Sequence, residues 1–135
     1  MLWKAGQGMD VVDTATAETA GRVSGFVVDG PSQSISAVLV GDRIVSWDRG
    51  AVGSDVVTVE HLEDAPKADA KALNPLGKAV FSDDGIALGK VSDIEFDPDS
   101  GAILRIVLGD DEVPGHRLLG LGSYAVVVAA EGTTA

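Results

Sequence analysis

The sequence predicts an all-β chain made of two small β-barrels in tandem, joined by a short linker. Three observations predict it. Short runs rich in Val, Ile and Leu recur between Gly, Asp, Pro and Ser, at the spacing of a small barrel. The core must be aliphatic, because 45% of the 135 residues are hydrophobic and only 4% aromatic. And the chain repeats itself: Gly21 to Asp42 aligns with Gly89 to Asp110 without a gap, at a constant offset of 68 residues.

Within that alignment Gly21, Val23, Ser24, Asp29, Ile35, Gly41 and Asp42 fall on Gly89, Val91, Ser92, Asp97, Ile103, Gly109 and Asp110. Other pairs exchange like for like: Phe26 with Ile94, Val28 with Phe96, Val38 with Ile106, Arg22 with Lys90. The likeness runs on from Val45–Val59 to Val113–Val128, where the second copy has gained one residue. The expected organisation is repeat one over 1–61, a linker over 62–75, repeat two over 76–131 and a flexible tail over 132–135. The linker reading rests on "LEDAPKADAKALNP", rich in Ala and charge, with Pro66 and Pro75 near its ends.

The strands carry two local expectations. Apolar alternation slips between Val23 and Phe26, and again between Val91 and Ile94. A β-bulge at Ser24-Gly25 and at Ser92-Asp93 restores the inward face and bends the strand. The run "FDPDSG" opens like a calcium loop, with Asp97, Asp99 and Gly101 two apart. An EF-hand loop needs Gly at position 6 and Glu at 12, whereas here Gly stands at 5 and Leu108 at 12. The first copy has "DGPSQ" there, so only the leading carboxylate is common to both. A polar hairpin turn is the expectation, with Asp as side-chain acceptor and Gly at positive φ.

The ordered set resembles the PRC-barrel family. It consists of a G-[RK]-V-S strand ending in Asp, a hairpin, an apolar strand ending in Gly-Asp, and then "IVSWDRGAVGSDVVTV" (Ile44 to Val59). The second copy, "VFSDDGIALGKVSDIEFDPDSGAILRIVLGD", is the closer match, and the first, with "DTATAETAGRV", is more divergent. The resemblance implies tandem PRC-type barrels acting as a protein-interaction module. It supplies no shared catalytic constellation, so no catalytic residue is carried over.

Composition narrows the function further. The chain has no cysteine, which excludes disulfides and thiolate chemistry and makes a reducing cytoplasm the default location. Net charge is −11 and the ten cations form no run, so no nucleic-acid footprint is expected. Solubility accounts for the acidity, and a protein partner with a basic surface, reached through electrostatic steering, is the sharper alternative. The N-terminus "MLWKAGQGMD" has no extended apolar region, and the longest apolar run, Tyr124 to Ala130, is too short to cross a membrane.

Motifs for chemistry are weak. His61 and His116 are the only histidines and lie in no recognisable hydrolase or metalloprotease motif. Gly77-Lys78 fails as a phosphate loop, because Ala72 stands where the first glycine belongs and Ala79 follows the lysine. Asp83-Asp84 and Asp110-Asp111-Glu112 read as solvated turns. No enzyme activity, cofactor or metal is therefore expected.

The candidate protein-binding residues are Trp47, Asp48, Arg49 and Val127. Trp47, beside charges, reads either as a barrel plug or as a binding anchor. Val127 lies in a run, Val126 to Val128, that is apolar on both faces of its strand, and Val56-Val57 behave alike. One face fills the barrel, so the other should meet the sister barrel or another chain. The expected function is a non-catalytic adaptor docking on a ribosome-, division- or membrane-associated assembly, with a homodimer as a further expectation. The competing expectation is a small-ligand or metal site between the barrels, lined by His116, Asp48 or Asp110–Glu112.

Overall fold

The computed structural model describes residues 1–47, 51–53, 55–60, 62, 65–68 and 73–130. Asp48, Arg49, His61 and the expected tail lie outside them. A one-turn helix α1 (Trp3–Gly6) precedes β1 (Asp10–Asp13), β2 (Glu18–Asp29), β3 (Ser34–Val40), β4 (Arg43–Ser46), β5 (Ala51–Val52) and β6 (Val56–Val59). The second half holds β7 (Ala79–Ser82), β8 (Ala87–Lys90), β9 (Asp93–Phe96), β10 (Ile103–Leu108) and β11 (Asp111–Pro114). A 3-10 turn (Gly115–Arg117), β12 (Leu118–Leu121) and β13 (Ala125–Val128) complete it. The class is all-β.

The two halves pair their strands alike. In the first, one sheet runs β4-β3-β2-β1-β6-β5. In the second the same order is split into β11-β10-β9 and β12-β13-β7-β8. The split falls at Val91-Ser92, where the strand equivalent to β2 is interrupted between β8 and β9. In each half the first and last strands of the unit pair in parallel, β1 with β6 and β7 with β13. Turn geometry repeats as well. Positive φ occurs at Ala17 and Gly85, Gly21 and Gly89, Gln33 and Gly101, Gly41 and Gly109.

The expected bulge in the first half is present: Val23 opposes Val40 and Gly25 opposes Leu39, leaving Ser24 unpaired. Its hydroxyl donates to the Gly41 carbonyl at 2.9 Å. In the second half the strand breaks there instead. Ser92 Oγ donates to the Val107 carbonyl and accepts from the Gly109 N–H, at 3.0 and 2.9 Å.

The sheets stay open, where closed barrels were expected. Closing the first half requires β4 to meet β5. The edge of β4 is instead taken by the segment after β6: Ile44 N–H donates to the Pro66 carbonyl and Ala68 N–H to that of Asp42, both at 2.7 Å. Ala65 is buried there, so this part of the linker is a packed edge and not a free tether.

One hydrophobic core serves both halves. Val11, Val23, Val38 and Val57 from the first join Val80, Ile94, Ile106 and Val126 from the second in a single cluster. Three buried aromatics cross between the halves: Trp3 meets Phe26 edge-on at 5.1 Å, and Phe26 meets Phe96 at 4.8 Å. The N-terminal segment also crosses over, since Phe96 N–H donates to the Met1 carbonyl at 2.8 Å and Leu2 bridges to Glu95. A unit of some 60 residues buries too little surface to be robust alone, and sharing a core offsets that.

Candidate protein-interaction face

The sheet β12-β13-β7-β8 has one face turned to the core and one turned away from it. Alternation along β7 and β13 puts Val80, Ser82, Val126 and Val128 inside, all buried. Ala79, Phe81, Ala125 and Val127 therefore point outward. Register places them in rows: Lys90, Ala79 and Ala125 form one, and Ala87, Phe81, Val127 and Gly120 the next. Tyr124 is 81% exposed and its ring lies parallel to that of Phe81, centroids 6.5 Å apart. Ile86, Leu88 and Leu119 are exposed on the same sheet. Among the described residues, large exposed hydrophobics elsewhere are confined to Leu2 and Leu104.

The first half supplies an internal comparison. The pairs Asp10–Arg22 and Ala79–Lys90 are equivalent, as are Val12–Thr19 and Phe81–Ala87. So are the parallel pairs Val12–Thr58 and Phe81–Val127. At these equivalent places the first half carries Asp10, Glu18, Thr19, Asp55 and Thr58 where the second carries Ala79, Ile86, Ala87, Tyr124 and Val127. Asp10 and Arg22 form an ion pair at 3.4 Å on that first face. Val12 and Val56 stand where Phe81 and Ala125 do, so the same backbone surface is mixed in the first half and almost wholly apolar in the second. The fold does not require an apolar outer face, so the second half's composition needs a different cause.

Of the candidate binding residues, the structure places Val127 at the centre of this face, 36% exposed. Trp47 is half-buried and lies elsewhere. It packs edge-on against Phe96 of the other half, ring centroids 6.3 Å apart, and covers Gly101. Its backbone N–H donates to the Ser36 carbonyl at 3.0 Å. Phe81, Tyr124, Ile86 and Leu119 were not singled out from the sequence. Comparing the two copies position by position on the solvent side would have found Ile86 and Tyr124, because they stand where the first copy has Glu18 and Asp55.

The remaining polar groups are occupied locally. Asp97 Oδ1 accepts the Asp99 N–H at 2.8 Å, and the Gly101 N–H donates to the Asp97 carbonyl at 2.7 Å, so this carboxylate builds the turn. Arg105 joins Glu112 at 2.7 Å and Glu95 at 3.3 Å across three strands. The hydrogen bond it donates to Glu112 and the charge of Glu95 raise its pKa. Lys78 Nζ donates to the Gly122 carbonyl at 2.8 Å, and partial burial lowers its pKa. Asp83 Oδ1 accepts the Ala130 N–H, and Ser82 Oγ donates to Asp84.

Of the residues invoked for a ligand site, Asp48 lies outside the described residues, and His116 and Asp110 are not gathered. His116 is exposed in the 3-10 turn, beyond the far end of β11 from Asp110. A strand of four residues separates them, about 13 Å at the usual rise. Between the halves, Phe26, Phe96 and Trp47 pack against one another.

The family model of the PRC-barrel domain matches residues 71–132, which include β7 to β13. No curated protein matches the chain. Among the described residues no helix is long and apolar enough to cross a membrane.

Proposed function

We propose, because the PRC-barrel family model matches residues 71–132, that the chain is a non-catalytic adaptor that binds protein through the outer face of this matched region. One observation carries the proposal: the face made by Phe81, Tyr124, Ala125 and Val127 is wholly apolar and carries exposed Tyr124 and Val127, while the equivalent places in the first half, Val12, Asp55, Val56 and Thr58, include a carboxylate and a hydroxyl. A solvated face gains nothing from exposed aromatics, whereas a face that loses water on binding gains roughly 25 cal/mol for each Å² of apolar surface buried. The first half shares the strand order and the turn positions, and we read it as a second PRC-type unit whose outer face remains solvated. The net charge of −11 favours an assembly with a basic surface against the rest of the molecule.

The test is affinity capture from cell lysate at low and high salt, with wild type, Val127→Asp and Thr58→Asp as baits. The expected result is a stoichiometric protein partner retained by wild type and Thr58→Asp and lost from Val127→Asp. Equal recovery by all three baits would move the binding surface away from this face. Recovery of the bait alone, together with a melting temperature raised by a metal or metabolite, would replace the adaptor reading with a ligand-binding one.

A further inference from the structure

We propose that the occupant of this face is a second copy of the chain, packed sheet to sheet about a two-fold axis that lies across the strands. The inference rests on the adaptor reading, since it names the protein met at the same face. Any partner of this chain that is itself a copy carries −11, so two copies can approach closely only where carboxylates are absent. The rows Lys90-Ala79-Ala125 and Ala87-Phe81-Val127-Gly120 form such a surface.

Along β7 and β8 the charges at the two ends are opposite in sign, while Arg117, beside β12 at the carboxylate end, has its guanidinium on the Ala129 carbonyl. Lys78 and Lys90 stand where β7 begins and β8 ends, and Asp83 and Asp84 stand in the turn that joins these strands. A second copy turned by a two-fold axis across the strands brings its lysine end over the first copy's carboxylate end, twice by symmetry. An axis along the strands would instead set like charges together. Only the first arrangement is self-complementary. Ala87 and Gly120 flank Phe81 and Val127, and Ala79 and Ala125 keep the lysine end of the face shallow, which suits a sheet packing at about 10 Å.

Size sets the strength. Four strands of four residues cover roughly 19 Å by 13 Å. The rim of Ile86, Leu88, Leu119 and Tyr124 enlarges this, yet the face stays below the ~800 Å² per partner of a standard interface. The face therefore falls among the small interfaces, where association is concentration-dependent rather than obligate.

Sedimentation of the full chain from ~1 µM to ~1 mM tests this. The expected mass moves from 13.8 kDa toward twice that value as concentration rises. Val127→Asp and the milder Tyr124→Ala should each weaken association at least about tenfold, a change of ~1.4 kcal/mol. Thr58→Asp, at the equivalent place in the first half, should associate like wild type. Lys90→Glu should weaken association, and adding Asp83→Lys should restore it, which an unrelated contact would not do. A 13.8 kDa species at every concentration overturns the proposal. So does an association unaffected by both face variants, and failure of the charge exchange overturns the two-fold arrangement. A monomeric chain that still loses a captured protein on Val127→Asp keeps the adaptor reading and removes only the second copy.

Discussion

Ser34 and Ala102 face each other across an antiparallel bridge, and they are equivalent positions in the two halves. Reciprocal hydrogen bonds flank them: Ile35 N–H donates to the Gly101 carbonyl at 2.7 Å, and Ile103 N–H to the Gln33 carbonyl at 3.0 Å. A local two-fold relation between the halves passes through this point. It brings the two hairpins into contact and leaves the outer face around Val127 facing away from the core.

Gly101 sits at that contact with φ +79°, and a Cβ there would stand 2.8 Å from the Ile35 carbonyl oxygen. Gly109 has the same φ with open space around it. Gly109→Ala should therefore cost about 1 kcal/mol, the penalty of the left-handed conformation alone. Gly101→Ala should cost about 3 kcal/mol, because backbone must also move. Urea unfolding of the two variants measures the difference, and equal losses would mean the hairpins do not meet as described.

Trp47→Ala removes a half-buried aromatic from the junction between the halves. A stability loss of about 2–3 kcal/mol is expected, below the range for a fully buried Trp. If stability is unchanged while partner capture is lost, Trp47 is a binding anchor and its packing on Phe96 contributes little.

Ser92 and Ser24 are equivalent, but Ser92 holds two backbone groups where the strand breaks and Ser24 holds one at a bulge. Ser92→Ala should cost about 1–2 kcal/mol and Ser24→Ala under about 1 kcal/mol. Denaturant midpoints with unchanged slopes would give the comparison. The reverse order would mean that the interrupted strand does not depend on its serine.

Lys78 supplies the pH dependence. Burial lowers its folded pKa below the ordinary 10.5, so just under that value the unfolded chain binds more protons than the folded one. Stability contributed by this group therefore rises with pH in that window and levels off above it. Melting curves of wild type and Lys78→Gln should converge as pH climbs toward 10.5, apart from a constant offset for the lost bond to Gly122. A gap that widens with pH would contradict the burial argument.

Much of the fold is legible in the sequence. The repeat, the all-β class, the bulge at Ser24 and the Asp97 turn follow from patterns short in sequence, where local chemistry decides the outcome. Closed barrels were also expected, and there the reasoning failed. Closure depends on which strand reaches the edge of β4, and Pro66 to Ala68 arrive there from a segment with no strand signature. Trp47 was legible as important, but whether it faces Phe96 or solvent depends on the other half of the chain.

The sequence by itself determined the alternation that buries Val80, Val126 and Val128, because side-chain period and hydrophobicity are properties of each strand alone. It also determined that Val127 and its neighbours have a second apolar side. Only the tertiary structure decided what meets that side. The halves join at Ser34 and Ala102 and share Phe26 and Phe96 in one core, so among the described residues the outer face of β12-β13-β7-β8 is left exposed around Val127 and Tyr124. Packing between distant segments is set by shape and register over the whole molecule, and no single strand encodes it.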